Sequence, residues 1–345
     1  MERIARDRAQ PYVERELKRT RWRLRNAGPE SFVIGDKRTI PVYKYSYVDQ
    51  DFILGSTQGG LLQPIQQQTW NLLWRTDRSA AQAANTFFGV QPYSSPLEGT
   101  MFFGGDWDTI TNLIARSKAD YDTPDKLPSG SPFEQVYQHG PALIALYDIP
   151  PGTRFPLVTM FFSRDLTHTE EDASGWIFSQ GGPVYIAYRP FAAGEWKPND
   201  WTGLLAHGAG GFISTDFAKW GTGHRCYVSP ALKNGYVVQV APARAFASYE
   251  AFKAAVRALP LTFTTAAQPE ATFTSLDGTV IHARYGATPT VNGQPVDFAH
   301  WPLFESPFGH ATRGSQQLEI AHGAERLLLD FIHNARQESA VPAQP

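Results

Sequence analysis

The sequence predicts a mainly β protein: a large antiparallel β-sandwich, supersandwich-like in size, with an N-terminal helix and one internal helix. Three observations predict it. Aromatic residues are dense, with 9 Trp, 14 Tyr and 22 Phe, the residue types that pack well on a pleated, half-buried surface. Turn formers are abundant, 29 Gly and 26 Pro, while charged residues reach only 19%; that mixture suits many short strands joined by many turns. Finally, short apolar runs recur without regular alternation with helices and without a repeat period, which disfavours a Rossmann or barrel plan.

The elements follow in order. Residues 11–25 read as a basic helix: Pro11 suits a first turn, and Val13, Leu17 and Leu24 mark one face. After Asn26-Ala27-Gly28-Pro29 the texture changes. Tyr43, Tyr45 and Tyr47 alternate with Lys44 and Ser46, so the three rings share one face of a strand. Residues 51–57 and 66–74 continue as strands about the Gly59-Gly60 turn. Residues 102–116 permit a short helix, and 117–132 read as a surface loop. Strand signals then become dense: the apolar run 142–147, the pair 176–178 and 184–188 about Gly181-Gly182, and 236–240. Ser248 reads as an N-cap, Phe252, Ala255, Val256 and Leu259 give the clearest helix, and Pro260 stops it. Asp277-Gly278 and Asn292-Gly293 carry the strongest hairpin dipeptides, and 327–332 close the ordered chain. The organisation expected is a basic helix and linker over 1–35, a sandwich region over 36–335 and a frayed polar tail over 336–345.

Composition bounds the function. A net charge of −2 argues against a protein that lives by binding nucleic acid, although residues 1–25 carry nine Lys or Arg against four acids. With Cys226 alone there is no intrachain disulfide framework. No apolar run is long enough to span a membrane as a helix, so no membrane partner is expected. The N-terminus lacks the apolar centre of a secretory signal. The Gly-rich stretch 207–211 has neither P-loop nor dinucleotide spacing. Gly55-Ser56-Thr57-Gln58-Gly59 places its serine one position too early for a nucleophile elbow. The nine histidines form no local metal spacing, and no cofactor or metal is expected.

Two constellations point to chemistry. Gln58 stands near Gln63, Gln66, Gln67, Gln68 and Trp70. On a strand Gln66, Gln68 and Trp70 share a face, where amides hydrogen-bond hydroxyls while an indole stacks on a sugar ring. That face is expected to line a solvent-open groove. The same run also reads as a polar outer strand with Trp70 in the core. Tyr137 and His139, two apart and so on one strand face, are types that take and return a proton, as elimination beside a uronate carboxylate requires. They read equally as ordinary half-buried strand residues, and Glu170-Glu171-Asp172 as a solvated loop.

The runs 52–58 and 66–70, Ser174-Gly175-Trp176-Ile177-Phe178 with Tyr185-Ile186-Ala187, and the helix 249–259 together resemble the sandwich portion of heparinase II/III-like polysaccharide lyases, over roughly residues 40–335. The resemblance implies β-elimination on an acidic, uronic-acid-containing polysaccharide, an exported protein, and an α/α-toroid upstream that carries most catalytic residues. No run of repeated helices occurs in this sequence, so the toroid is absent from it and residues 11–25 read as its tail end. The other function expected of the chain is a non-catalytic carbohydrate-binding or structural sandwich.

Overall fold

The computed structural model describes residues 43–58, 69–76, 85–91, 133–152, 156–163, 166–198, 225–312 and 316–340. The expected helix 11–25 and its linker, the Gly59-Gly60 turn, Gln63, Gln66, Gln67 and Gln68, and residues 102–132 lie outside them. The chain divides into two compact units, Met1–Gly293 and Gln294–Pro345, where the sequence suggested one region over 36–335.

In the first unit the strands are β1 (Tyr43–Val48), β2 (Phe52–Gln58), β3 (Trp70–Trp74), β4 (Asn85–Val90), β5 (Glu134–His139), β6 (Ala142–Asp148), β7 (Val158–Phe162), β8 (His168–Glu171), β9 (Ile177–Gln180), β10 (Val184–Pro190), β11 (Glu195–Pro198), β12 (Arg225–Ser229) and β13 (Lys233–Pro242). Helix α1 (Tyr249–Arg257) follows, then β14 (Leu261–Thr264), β15 (Glu270–Thr274), β16 (Val280–Arg284) and β17 (Thr290–Val291). One sheet has seven strands in the order β1-β2-β3-β4-β7-β12-β11, and a second has six in the order β5-β6-β13-β10-β9-β8. Every neighbouring pair in these two sheets is antiparallel. The protein is therefore mainly β and sandwich-like, as the sequence indicates.

The two sheets bury alternate residues against each other. Phe52, Leu54, Trp70, Leu72, Phe87 and Phe162 of the seven-stranded sheet meet Val136, Leu143, Tyr147, Ile186, Tyr188 and Tyr236 of the six-stranded one in a single cluster. The opposite face of the six-stranded sheet is covered too, by α1 and by the smaller sheet β14-β15-β16-β17. Phe252 and Val256 of α1 are wholly buried, and the Phe252 ring lies 5.3 Å from Tyr185 and 6.1 Å from Phe178. Phe263 stacks on Phe191 at 4.3 Å, and Phe273 lies 6.1 Å from Trp176. Burial on both faces explains why β6 is a continuous apolar run rather than an alternating one.

Local chemistry sets the ends of these elements. Ser248 is the N-cap of α1, its hydroxyl accepting from Ala251 N at 3.1 Å. Asn292 (φ 50°) and Gly293 (φ 77°) both take the left-handed conformation that a primed hairpin turn requires. Gly140, at φ 54°, turns the chain between β5 and β6, which pair as a hairpin.

The second unit opens on the two-residue strand β18 (Gln294–Pro295) and continues as β19 (Pro302–Ser306), β20 (Gly309–Thr312), β21 (Gln317–His322), β22 (Glu325–Asp330) and β23 (Ala335–Ala340). The last five form an antiparallel sheet in chain order. Leu318 faces Leu329 and Ile320 faces Leu327 across β21 and β22. The expected frayed tail over 336–345 is corrected for residues 336–340, and residues 341–345 lie outside the described residues. Residues 335–340 pair with β22, and their polar side chains suit the edge strand they occupy.

Candidate functional site

One group of interior polar residues gathers at a corner of the sandwich, where β2 and β3 of one sheet lie over β5 of the other. Period-two alternation turns Glu134, Val136 and Gln138 of β5 inward. Gln58 (1% exposed) and Gln138 (0%) are both buried there. Gln58 Nε2 donates to Ser56 Oγ at 3.1 Å and to the Gln138 carbonyl at 3.3 Å. Gln138 Nε2 donates to the Leu54 carbonyl at 2.8 Å and to the Gly140 carbonyl at 3.1 Å. Facing carbonyls fix the orientation of each amide, because an oxygen turned toward them would meet only acceptors. The two amide oxygens, Gln58 Oε1 and Gln138 Oε1, are buried without a hydrogen-bond partner.

Beside the amides runs a relay that crosses between the sheets. Trp70 Nε1 donates to Tyr236 Oη at 2.6 Å. Tyr236 Oη and Tyr147 Oη are 3.0 Å apart. Tyr147 Oη donates to Glu134 Oε1 at 2.7 Å, and Thr69 Oγ1 donates to Glu134 Oε2 at 2.6 Å. An indole N–H can only donate and a carboxylate can only accept, so Tyr236 accepts from Trp70, Tyr147 gives its single proton to Glu134, and Tyr236 is left to donate to Tyr147. Direction along the chain is thus set at the Glu134 end. Burial pushes the Glu134 carboxyl up from 4.5 to about 7, against the opposing pull of the Thr69 and Tyr147 hydrogen bonds. Burial likewise raises the phenols of Tyr147 and Tyr236 well above their usual range. Gly89 makes room for the relay: a Cβ there would stand 2.4 Å from Tyr236 Oη.

The sequence candidates separate on this frame. Gln58 and Trp70 reach the corner, but from inside. Trp70 is 1% exposed and its ring packs 5.8 Å from Phe87 and 5.9 Å from Tyr236. The expectation that Trp70 lines a solvent-open groove is therefore corrected: β3 begins at Trp70 and turns that side chain into the core. Gln66 and Gln68 belong to the connection between β2 and β3 and lie outside the described residues. Tyr137 and His139 do share a face of β5, but it is the outward one. Gln135, on the same face, is bonded to Gly286 N and Ala287 O of the small sheet's hairpin. Tyr137 is 2% exposed, and burial, followed by the nearby Tyr45, raises its phenol above the ordinary tyrosine range. A phenol so placed keeps its proton at neutral pH and makes a poor base. His139 is half-buried. Asp277 is pushed up by burial, but hydrogen bonds from Ser275 and Thr279, helped by the charge of His139, leave it below the usual carboxylate range.

Glu134, Gln138, Tyr147 and Tyr236 were not candidates in the sequence. Their one available signal is the phase of β5: an acid and a glutamine at even positions with Val136, an apolar residue on the core-facing side. Among the described residues no group of three or more His, Cys, Asp or Glu side chains could hold a metal ion. The corner can hold a proton near neutrality and carry hydrogen-bond polarity between sheets.

Fold and corner together define a two-sheet antiparallel sandwich protein with a polar, hydrogen-bonded interior corner. Comparison with known protein families, curated proteins and solved structures returned no match.

Proposed function

We propose that this chain is the sandwich part of a polysaccharide lyase, acting on a uronic-acid-containing polysaccharide by β-elimination together with an α/α-toroid. The observation that supports this reading is convergence. Gln58 bonds Gln138, Thr69 bonds Glu134 and Trp70 bonds Tyr236, all between the end of β2 or the start of β3 and the facing sheet, and the Gln-rich residues 59–68 stand between β2 and β3 in the sequence. In this reading the interior corner is a rigid support for the chain that leaves it, and proton transfer to the polymer belongs to groups other than Tyr137. Elimination beside a uronate needs a base, an acid and a neutraliser of the carboxylate, and such a set is built most accurately on rigid strands.

A second reading, a non-catalytic carbohydrate-binding or structural sandwich, is favoured by one specific observation. Of the described candidates, Gln58, Trp70 and Tyr137 are buried and His139 is half-buried. One experiment separates the two. The chain, alone and joined to whatever its gene encodes upstream, is incubated with a panel of acidic polysaccharides. Unsaturated uronate is followed by its absorbance at about 232–235 nm, the product that general acid–base elimination leaves. Absorbance growth with the full gene product supports the lyase reading. Polymer binding with no absorbance change for any polymer overturns it in favour of the second.

A further inference from the structure

The relay at the corner has a property that neither function requires. It joins the two sheets through side chains alone, Thr69 and Trp70 at the start of β3 on one side, Glu134, Tyr147 and Tyr236 on β5, β6 and β13 on the other. We propose that this relay is a pH-sensitive latch between the sheets, closed while the Glu134 carboxyl is protonated and loosened when it ionises.

The geometry accommodates the neutral acid by one hydroxyl rotation. Trp70 donates to Tyr236, Tyr236 donates to Tyr147, and Tyr147 donates to Glu134 Oε1, an arrangement that the neutral acid keeps when its proton sits on Oε2. Only the Thr69 hydroxyl must turn, from donating to Glu134 Oε2 to accepting the proton that Oε2 now carries. Each oxygen and nitrogen of the relay keeps a hydrogen bond, and only the Thr69 proton leaves its present acceptor. The anion is served less well. Its described hydrogen-bond partners are the two hydroxyls of Thr69 and Tyr147, no cation among the described residues is paired with it, and a desolvated carboxylate so placed is expensive.

The titratable neighbours reinforce this asymmetry. Tyr147 faces Glu134 from β6 and Tyr236 from β13, and both phenols stay protonated. Tyr285, next to the end of β16, also feels the Glu134 charge, as it does that of Asp148. Asp148 is paired with Lys233 at 3.4 Å, and both lie one residue out of phase with the inward-facing Tyr147 and Asn234, hence on the outer face of the sheet. Thr69 and Trp70 from β3 do not titrate. The proton on Glu134 is therefore the one charge switch among the described residues of the relay, and the sheets meet across it.

The test is thermal melting of the full chain from about pH 5 to about pH 9, beside Glu134→Gln, which copies the neutral acid with an oxygen for Tyr147 and an N–H for Thr69. The latch predicts that the wild-type midpoint falls as pH rises from about 5 to about 7 and levels off above, while the variant shows a smaller fall or none, so the two curves separate across that window and keep a constant gap beyond it. Parallel curves overturn the proposal. Should Glu134→Gln fail to fold, Tyr147→Phe keeps the ring and removes one of the two donors to the anion. Its carboxylic C=O infrared band should then persist to higher pH than in the wild type. An unshifted band, or one lost at ordinary glutamate pH in both proteins, overturns the latch.

Discussion

Replacing Trp70 with alanine removes a side chain 1% exposed, packed against Phe87 and Tyr236 and bonded through Nε1 to Tyr236 Oη at 2.6 Å. Emptying a core aromatic site costs about 3–5 kcal/mol, and the lost hydrogen bond adds about 1 kcal/mol. The sum is comparable with the roughly 5–15 kcal/mol that holds a typical domain together, so Trp70→Ala should be barely folded. Trp70→Phe keeps a ring and should lose about 1–3 kcal/mol through the vacated indole volume and the missing donor. Urea denaturation followed by circular dichroism measures both, with an unchanged slope confirming that stability rather than compactness moved. A Trp70→Ala loss below about 1 kcal/mol, the cost expected away from the core, accompanied by weakened glycan binding, would return Trp70 to a solvent-facing platform and refute the interior assignment.

Three other substitutions test separate parts of the account. Gly89→Ala places a methyl 2.4 Å from Tyr236 Oη and 2.9 Å from Met160 Cε, an overpacking expected to cost about 1–3 kcal/mol in denaturant melts; a neutral outcome would show that the relay does not lie against β4. Gln138→Leu strips the Leu54 and Gly140 carbonyls of their amide partner and should destabilise by about 1–3 kcal/mol for each buried acceptor left bare; a stable variant would mean that water already reaches this corner. Ser248→Ala removes the N-cap of α1 and should cost about 1 kcal/mol, with faster amide exchange at Ala251 as its local signature.

Much of the fold was legible because its signals are local. The alternating tyrosines of β1, the Gly181-Gly182 and Asn292-Gly293 turns, and the Ser248 cap with its apolar stripe are each encoded within a few residues of one another. The hairpin at Gly140 was not singled out because its turn, Gly140-Pro141, carries none of the Asn-Gly or Asp-Gly dipeptides that mark a primed turn. Trp70 was misplaced for a different reason. A strand's period says which side chains share a face but not which face meets the other sheet. The relay was illegible because its members stand far apart in the chain, at 69–70, 134, 147 and 236, and only sheet pairing and stacking bring them together. Tyr137 looked chemical in sequence because type and spacing suited proton transfer; its burial depends on tertiary packing that no local signal reports.

The pH dependence of stability follows from the same geometry. Glu134 has its ionisation raised in the folded state from 4.5 to about 7. The unfolded chain therefore releases this proton first as pH rises. The contribution is fully present below about 4.5, declines between there and about 7, and is gone above; a shift of this size corresponds to about 3 kcal/mol. Asp49 and Asp172 act with the opposite sign. Burial pushes both up, but hydrogen bonds and charge from Arg244 for Asp49, and from Ser174 and Arg257 for Asp172, leave both lowered. Their contribution is lost only as pH falls below the ordinary aspartate range, so the two effects occupy separate windows.

The most direct test of the corner as described is the ionisation of Glu134 itself, read from its side-chain carboxyl carbon by NMR across a pH series, with Glu134→Gln assigning the signal. The account predicts a midpoint near 7, because burial outweighs two hydroxyl donors. A midpoint at the ordinary glutamate value near 4.5 would mean that the carboxyl is solvated or paired with a cation, and would contradict both the closed relay and the latch built on it.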